Sequence, residues 1–109
     1  MQKHLLSILI LLCLGNTFAW SQIFFAPEQV IAQSETLNPM RVVAADLDGD
    51  GYPDVLVASS IDSKISWYSN DGLGNFGAQQ VISTLASGVN AAYPADLDGD
   101  GDLDVLSAS

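Results

Sequence analysis

The chain has 109 residues, enough for one ordinary domain, and 13 acidic against three basic residues give it a formal net charge of −10 at pH 7. So few basic side chains cannot line a phosphate backbone, which excludes nucleic acid as a partner. Beyond residue 21 the sequence contains no histidine and no cysteine. The usual general base and thiol nucleophile are therefore missing, and we expect no catalytic residues in this chain and no enzyme activity.

The N-terminal segment has the pattern of a secretory signal peptide. Lys3 and His4 form a basic opening, residues 5–14 are an apolar core, and Ala-Trp-Ser at 19–21 is a small-x-small cleavage site. The core is too short to span a bilayer comfortably, and no later stretch approaches the ~20 apolar residues that a membrane helix needs. We expect residues 1–21 to be a signal peptide, with an uncleaved N-terminal anchor as the alternative, and residues 22–109 to be secreted or at the cell surface.

Short runs of strand-forming residues follow, separated by connections rich in Ser, Asn, Asp and Gly. Such connections suit an antiparallel meander, so the predicted fold class is all-β. The segment 24–31 is expected to be strand-like as well. The other predicted strands are 41–45, 55–59, 64–69, 78–82, 91–95 and 105–108.

An acidic, glycine-rich loop joins the first two of those six strands and returns fifty residues later between the last two. Aspartates at loop positions 1, 3, 5 and 9 repel one another unless a cation neutralises them. Ca²⁺ takes roughly 6–8 oxygens, and the backbone carbonyl at position 7 can supply one more, whatever side chain stands there. We predict about one Ca²⁺ per loop, bound by Asp46, Asp48, Asp50, Tyr52 and Asp54, and by Asp96, Asp98, Asp100, Asp102 and Asp104.

Two other interpretations of the loops exist. An EF-hand or dockerin loop shares the opening motif, but it needs an acidic ligand at position 12 and a following helix. Position 12 is Val57 in one loop and Ser107 in the other, and β-type residues follow both. The loops could also be solvated turns without an ion. The identical spacing of two copies favours metal binding over that alternative.

The internal repeat extends beyond the loops, because Phe25–Ile31 is similar to Phe76–Ile82 at a separation of 51. The unit is present once in full, over residues 41–82, and once in part, over 90–109. Four strands in a unit of ~40–50 residues are typical of a propeller blade. The segment 24–31 matches only a fourth strand, so we expect it to complete another blade.

Specific motifs accompany the loop: Val-Leu-Val-Ala after Asp54, Ile-Ser-Trp-Tyr at 65–68 and Gly-Asn-Phe-Gly at 74–77. With the loop they resemble the FG-GAP/VCBS-type repeat, which is similar to the calcium-bearing blades of integrin alpha-subunit propellers. The resemblance implies antiparallel four-stranded blades of a β-propeller, commonly seven-bladed, with calcium between the first and second strands. Fewer than two blades are present, so the remainder of the propeller is needed to close the ring. The simplest expectation is a piece of a longer protein, and self-assembly of short chains is the alternative.

Three functions remain open at this stage. The leading one is a secreted or cell-surface module with structural calcium that binds an extracellular protein or carbohydrate through its loops. The second is the propeller portion of an extracellular polysaccharide-degrading enzyme whose catalytic residues lie elsewhere, and the third is a structural segment of a cell-adhesion protein. Trp67 and Tyr68 occupy adjacent strand positions and face opposite ways. We expect both to pack between blades, and the alternative is that one of them stacks on a ligand while the other packs.

Overall fold

The computed structural model describes residues 25–32 and 36–109. The predicted signal peptide, residues 1–21, lies outside this range. Among the described residues there is no helix, and so none long and apolar enough to cross a membrane.

The described residues form six strands in two antiparallel sheets, and no ring is closed. The first sheet has the order β1-β2-β3-β4, and the second pairs β5 with β6. This arrangement confirms the all-β fold class and is that of a partial β-propeller. The strands are β1 (Pro39–Ala45), β2 (Asp54–Ser59), β3 (Lys64–Tyr68), β4 (Gln80–Ser83), β5 (Ala91–Ala95) and β6 (Asp104–Ala108).

Several strand boundaries differ from the sequence-based ones by one or two residues. β2 and β6 begin one residue early because Asp54 and Asp104 already pair with Ala45 and Ala95 across the hairpin. β4 begins only at Gln80, since the pairing of β3 with β4 is irregular and covers few residues. The predicted order of the six strands and their antiparallel connection are correct.

The segment before β1 differs from the predicted strand. Residues 25–32 have no regular secondary structure, and Phe25 is 90% exposed. A strand needs a neighbour for its backbone hydrogen bonds, and the edge that 24–31 is expected to pair with belongs to another blade. Its role in completing such a blade stays a prediction.

The core lies between the two sheets. Side chains alternate across a strand, so Leu56, Ala58 and Ile65 share one face of the first sheet, and they pack against Val89 and Ala92 of the second unit. Partly buried side chains extend this cluster, namely Val43, Leu47, Trp67, Ala86 and Val105. The two units therefore stack face to face, with the acidic loops at the ends of their first hairpins.

Candidate metal centre

Each acidic loop is closed at its base by the last pair of a β-hairpin. Ala45 pairs with Asp54 in the first unit, and Ala95 pairs with Asp104 in the second. Both loops lead directly into a strand, so the EF-hand and dockerin interpretation is excluded for this chain. The sheet thus fixes the two ends of each loop, and the residues between them must curl.

Asp46 organises the curl of the first loop through its carboxylate. Its Oδ1 accepts hydrogen bonds from the backbone N–H groups of Gly49 at 2.9 Å and Asp50 at 3.1 Å, and its Oδ2 accepts one from Gly51 at 2.9 Å. Gly49 and Gly51 have φ of 77° and 92°, a region that side-chain-bearing residues avoid. The glycines let the chain turn its amides towards Asp46.

The next two aspartates, Asp48 and Asp50, each accept a hydrogen bond from the backbone N–H two residues further along the chain. Asp48 Oδ1 accepts from the N–H of Asp50 at 3.2 Å, and Asp50 Oδ1 accepts from the N–H of Tyr52 at 2.9 Å. One oxygen each of Asp46, Asp48 and Asp50 lies within 4.8 Å of the other two. Oxygens bound to one Ca²⁺ at about 2.4 Å cannot be more than about 4.8 Å apart, so this group fits a shared ion.

The second loop repeats this network at the equivalent positions. Asp96 accepts from Gly99 at 2.7 Å and Gly101 at 3.0 Å, and Asp98 accepts from Asp100 at 3.2 Å. The group of oxygens within 4.8 Å of one another here comprises Asp96, Asp98 and Asp104. Asp100 accepts from the N–H of Asp102 at 2.9 Å, as Asp50 does from Tyr52 in the first loop. Two segments fifty residues apart thus adopt one loop conformation, and each gathers three carboxylates.

Position 9 differs between the loops. Asp54 is fully buried, and its two oxygens accept from the N–H groups of Leu47 and Asn70, both at 2.8 Å. Asp104 is exposed and accepts from Leu97 at 3.0 Å. In the first unit this carboxylate therefore ties the acidic loop to the turn between β3 and β4. Its predicted metal-ligating role remains a prediction, as do the backbone-carbonyl roles at position 7.

The sequence predicts that the identity of the side chain at position 7 has no consequence, but the Tyr52 side chain makes a specific contact. Its ring lies against Gly72 of the β3–β4 turn, so close that a Cβ at residue 72 would stand 2.6 Å from ring carbons. Asp102 has no counterpart of that turn beside it in the described residues. Comparison of the two loop sequences could not reveal this contact, because it depends on the β3–β4 turn, which lies outside the loop.

The β3–β4 turn is itself ordered by aspartate and asparagine side chains. Asn70 donates from Nδ2 to the carbonyl of Pro53 at 3.0 Å, and its Oδ1 accepts from the N–H of Gly72. Hydrogen bonds from the Asn75 side chain and the Leu73 N–H lower the pKa of Asp71. The Asn-Asp-Gly run at 70–72 is the sequence signal for these local hydrogen bonds, since Asp and Asn are common in turns for that reason.

A polar cleft of about 400 Å³ separates the first acidic loop from that turn. Partial desolvation and the nearby charges of Asp54 and Asp50 raise the pKa of Asp48 at its rim, although the Asp50 N–H bond opposes the shift. Like charges held this close favour a bound cation, which would reverse the effect. The lining residues are Asp48, Asp50, Ser69, Asn70, Asp71, Asn75, Phe76 and Gly77.

Neither aromatic residue of β3 is an open stacking platform. Trp67 packs against the core cluster, and Tyr68 is buried on the opposite face of the sheet. The Tyr68 hydroxyl bonds Thr36 at 3.0 Å and accepts from Gln79 Nε2 at 3.2 Å, and Gln79 also donates to Ser66. Packing is therefore the role of both rings here.

The fold and the loops define a class of protein: an all-β repeat module of the partial β-propeller type, whose units close a hairpin around an acidic, glycine-rich loop. The family model of the FG-GAP-like repeat matches residues 46–107, more than half of the chain. The chain therefore belongs to the FG-GAP-like repeat family, as its motifs predicted. No curated protein and no solved structure matched the chain.

Proposed function

We propose that this chain is a calcium-binding β-propeller module of an exported protein, in which calcium is structural and the loops contact an extracellular protein or carbohydrate. The observation that supports it most is the doubled loop. Both copies bring three carboxylate oxygens within 4.8 Å of one another, from Asp46, Asp48 and Asp50 and from Asp96, Asp98 and Asp104. A divalent cation is the simplest means of stabilising such a group.

The loop residues perform a mechanical function in this proposal. The bonds from Gly49 and Gly51 to Asp46 hold the carboxylates inward, and the Ala45–Asp54 pair anchors both loop ends to the sheet. Bound calcium would supply positive charge that offsets the carboxylate repulsion. Asp54 then connects the ordered loop to the β3–β4 turn, because it accepts a hydrogen bond from the backbone N–H of Asn70.

The cleft between the first acidic loop and the β3–β4 turn supports a role in binding. The Asn75 side chain donates to Asp71 within the turn, but each carboxylate oxygen of the lining can accept a second hydrogen bond. Sugar hydroxyls and polar peptide N–H groups donate bonds of this kind, and Asp48, Asp50 and Asp71 line the cleft. The carboxylates of the loops accept from loop amides, which supports a structural rather than a catalytic function. Export rests on the pattern of residues 1–21.

Thermal denaturation of the full chain in calcium and in chelator tests the structural role. At a concentration of 100 times Kd each site adds about 2.7 kcal/mol, so calcium should raise Tm by on the order of 10 °C. Magnesium is the control, because its strict octahedral demand makes it a poor match for a carboxylate-rich loop. An unchanged Tm on chelation would refute the proposal.

A further inference from the structure

Three successive residues at the end of the first acidic loop contact the β3–β4 turn. The ring of Tyr52 lies against Gly72. The carbonyl of Pro53 accepts from Asn70 Nδ2 at 3.0 Å, and the buried carboxylate of Asp54 accepts from the Asn70 N–H at 2.8 Å. The loop and the turn are also the two walls of the polar cleft, so these contacts join one wall to the other.

The ring contact is the one that restricts the sequence of the turn most. Gly72 has φ of 81°, and a Cβ at this residue would stand 2.6 to 2.8 Å from three ring carbons of Tyr52. Gly74, in the same turn, has φ of 90°, but a Cβ there would meet nothing within 4 Å beyond its chain neighbours. Both positions favour glycine because of their backbone conformation. Only residue 72 also requires it because a ring approaches so closely.

Tyr52 is joined at its backbone to the carboxylates of the loop. Its N–H donates to Asp50 Oδ1 at 2.9 Å, and Asp50 is one of the three residues whose oxygens lie within 4.8 Å of one another. In the second loop the Asp102 N–H donates to Asp100 Oδ1, also at 2.9 Å. The backbone bond is therefore common to both loops, whereas an aromatic ring at position 7 is particular to the first.

We propose that Tyr52 is a positioning residue, which couples the carboxylates of the first acidic loop to the β3–β4 turn and so fixes the width of the polar cleft between them. The inference rests on the proposed function, in which this loop binds calcium and the cleft contacts a ligand. Coupling between two sites is reciprocal. An ion that orders the loop orders the turn as well, and a turn that cannot pack on the ring weakens binding of the ion.

Amide hydrogen exchange over residues 70–77 of the full chain, measured in calcium and in chelator, tests the first direction. In the parent, calcium should slow this exchange about fivefold or more, which is the lower end of typical coupling. Tyr52→Ala should remove the effect of calcium, and Tyr52→Phe, which keeps the ring, should retain it. Asp102→Ala changes position 7 of the second loop instead and is the matched control, which should behave as the parent does. A ring that only packs would stabilise the turn equally with and without calcium.

Calorimetric titration with calcium tests the reverse direction, in an Asp98→Asn background that leaves the first loop to bind. Gly72→Ala places a methyl group against the ring and should raise Kd about fivefold or more. Gly74→Ala introduces the same kind of backbone strain without the contact, so its Kd should equal that of the background. The Tyr52 variants keep the inference testable if Gly72→Ala does not fold.

The outcomes separate this inference from the proposed function. A parent that binds no calcium would overturn both. A parent that binds about two ions, yet exchanges residues 70–77 at one rate in calcium and in chelator, would overturn the coupling alone. Equal Kd values for Gly72→Ala and Gly74→Ala, or a calcium effect that survives Tyr52→Ala, would do the same.

Discussion

Single carboxylates in this chain differ in role according to what surrounds them. Asp54 and Asp104 stand at the same loop position, but only Asp54 is buried with an amide on each oxygen. The spacing of the aspartates in the sequence predicts that Asp54 and Asp104 are equivalent loop residues. It cannot predict that Asp54 is buried, because the burial involves a contact with Asn70, sixteen residues further along the chain.

Alanine at these two positions separates their roles. In chelator, Asp54→Ala should lower the free energy of unfolding by about 2–4 kcal/mol, because the part-buried N–H groups of Leu47 and Asn70 lose a fully buried acceptor. Asp104→Ala removes one exposed bond and should cost about 1 kcal/mol or less. Urea denaturation measures both, and equal losses would contradict the proposed buried link.

Asp62, which lies outside the acidic loops, makes a pH-dependent contribution to the stability of the fold. Its carboxylate accepts from Ser59 Oγ and pairs with Lys64 Nζ at 3.0 Å. Desolvation acts to raise its pKa, but the bonds from Ser59 and Lys64 prevail and lower the pKa below its ordinary 3.8. Because the pKa of Asp62 is lower in the folded than in the unfolded chain, ionised Asp62 stabilises the fold at pH values above 3.8. This contribution to stability is lost as pH falls through the folded-state pKa.

Asp62→Asn should therefore destabilise the chain by about 1 kcal/mol at pH 7 and have a much smaller effect near pH 3. Urea titrations of parent and variant at both pH values, in chelator, measure the difference. A loss of the same size at both pH values would show that the charge of Asp62 is not responsible.

At the scale of elements, the periodicity of the sequence predicted the meander and its order, because alternation and turn residues are local signals. The start of β4 and the irregular state of 25–32 were not predictable in the same way. The start of β4 depends on the irregular pairing near Ile65. The segment 25–32 is predicted to pair with an edge in another blade, so its conformation is not a local property either. The acidic loops were the most predictable part, since their conformation follows from their own residues.

A polar network links three segments across the face of the first sheet. The Tyr68 hydroxyl connects β3 to Thr36, before β1, and to Gln79, before β4. Tyr68→Phe should lower the free energy of unfolding by about 1–2 kcal/mol, because the part-buried side chains of Thr36 and Gln79 lose a bond. The half-exposed Tyr93 is the control, and Tyr93→Phe should cost little. Equal effects in urea denaturation would show that the network adds no stability.

At the scale of the whole molecule, the described residues form two repeat units that share one core. Equivalent positions of the repeat differ in burial, since Leu56 is 1% exposed and Leu106 is 53% exposed. The charge pattern is regular, since nine of the 13 acidic residues lie in the two loops. We expect the stability of such a module to depend on the cation that neutralises the carboxylates of its loops.

The central claim is that each acidic loop binds one calcium ion, and isothermal titration calorimetry of the full chain tests it most directly. The predicted stoichiometry is about two for the parent and about one for either Asp48→Asn or Asp98→Asn. Asp71→Asn removes the same charge outside the loops and should leave the stoichiometry at about two. Absence of calcium binding, or a stoichiometry unchanged by both loop substitutions, would contradict the account.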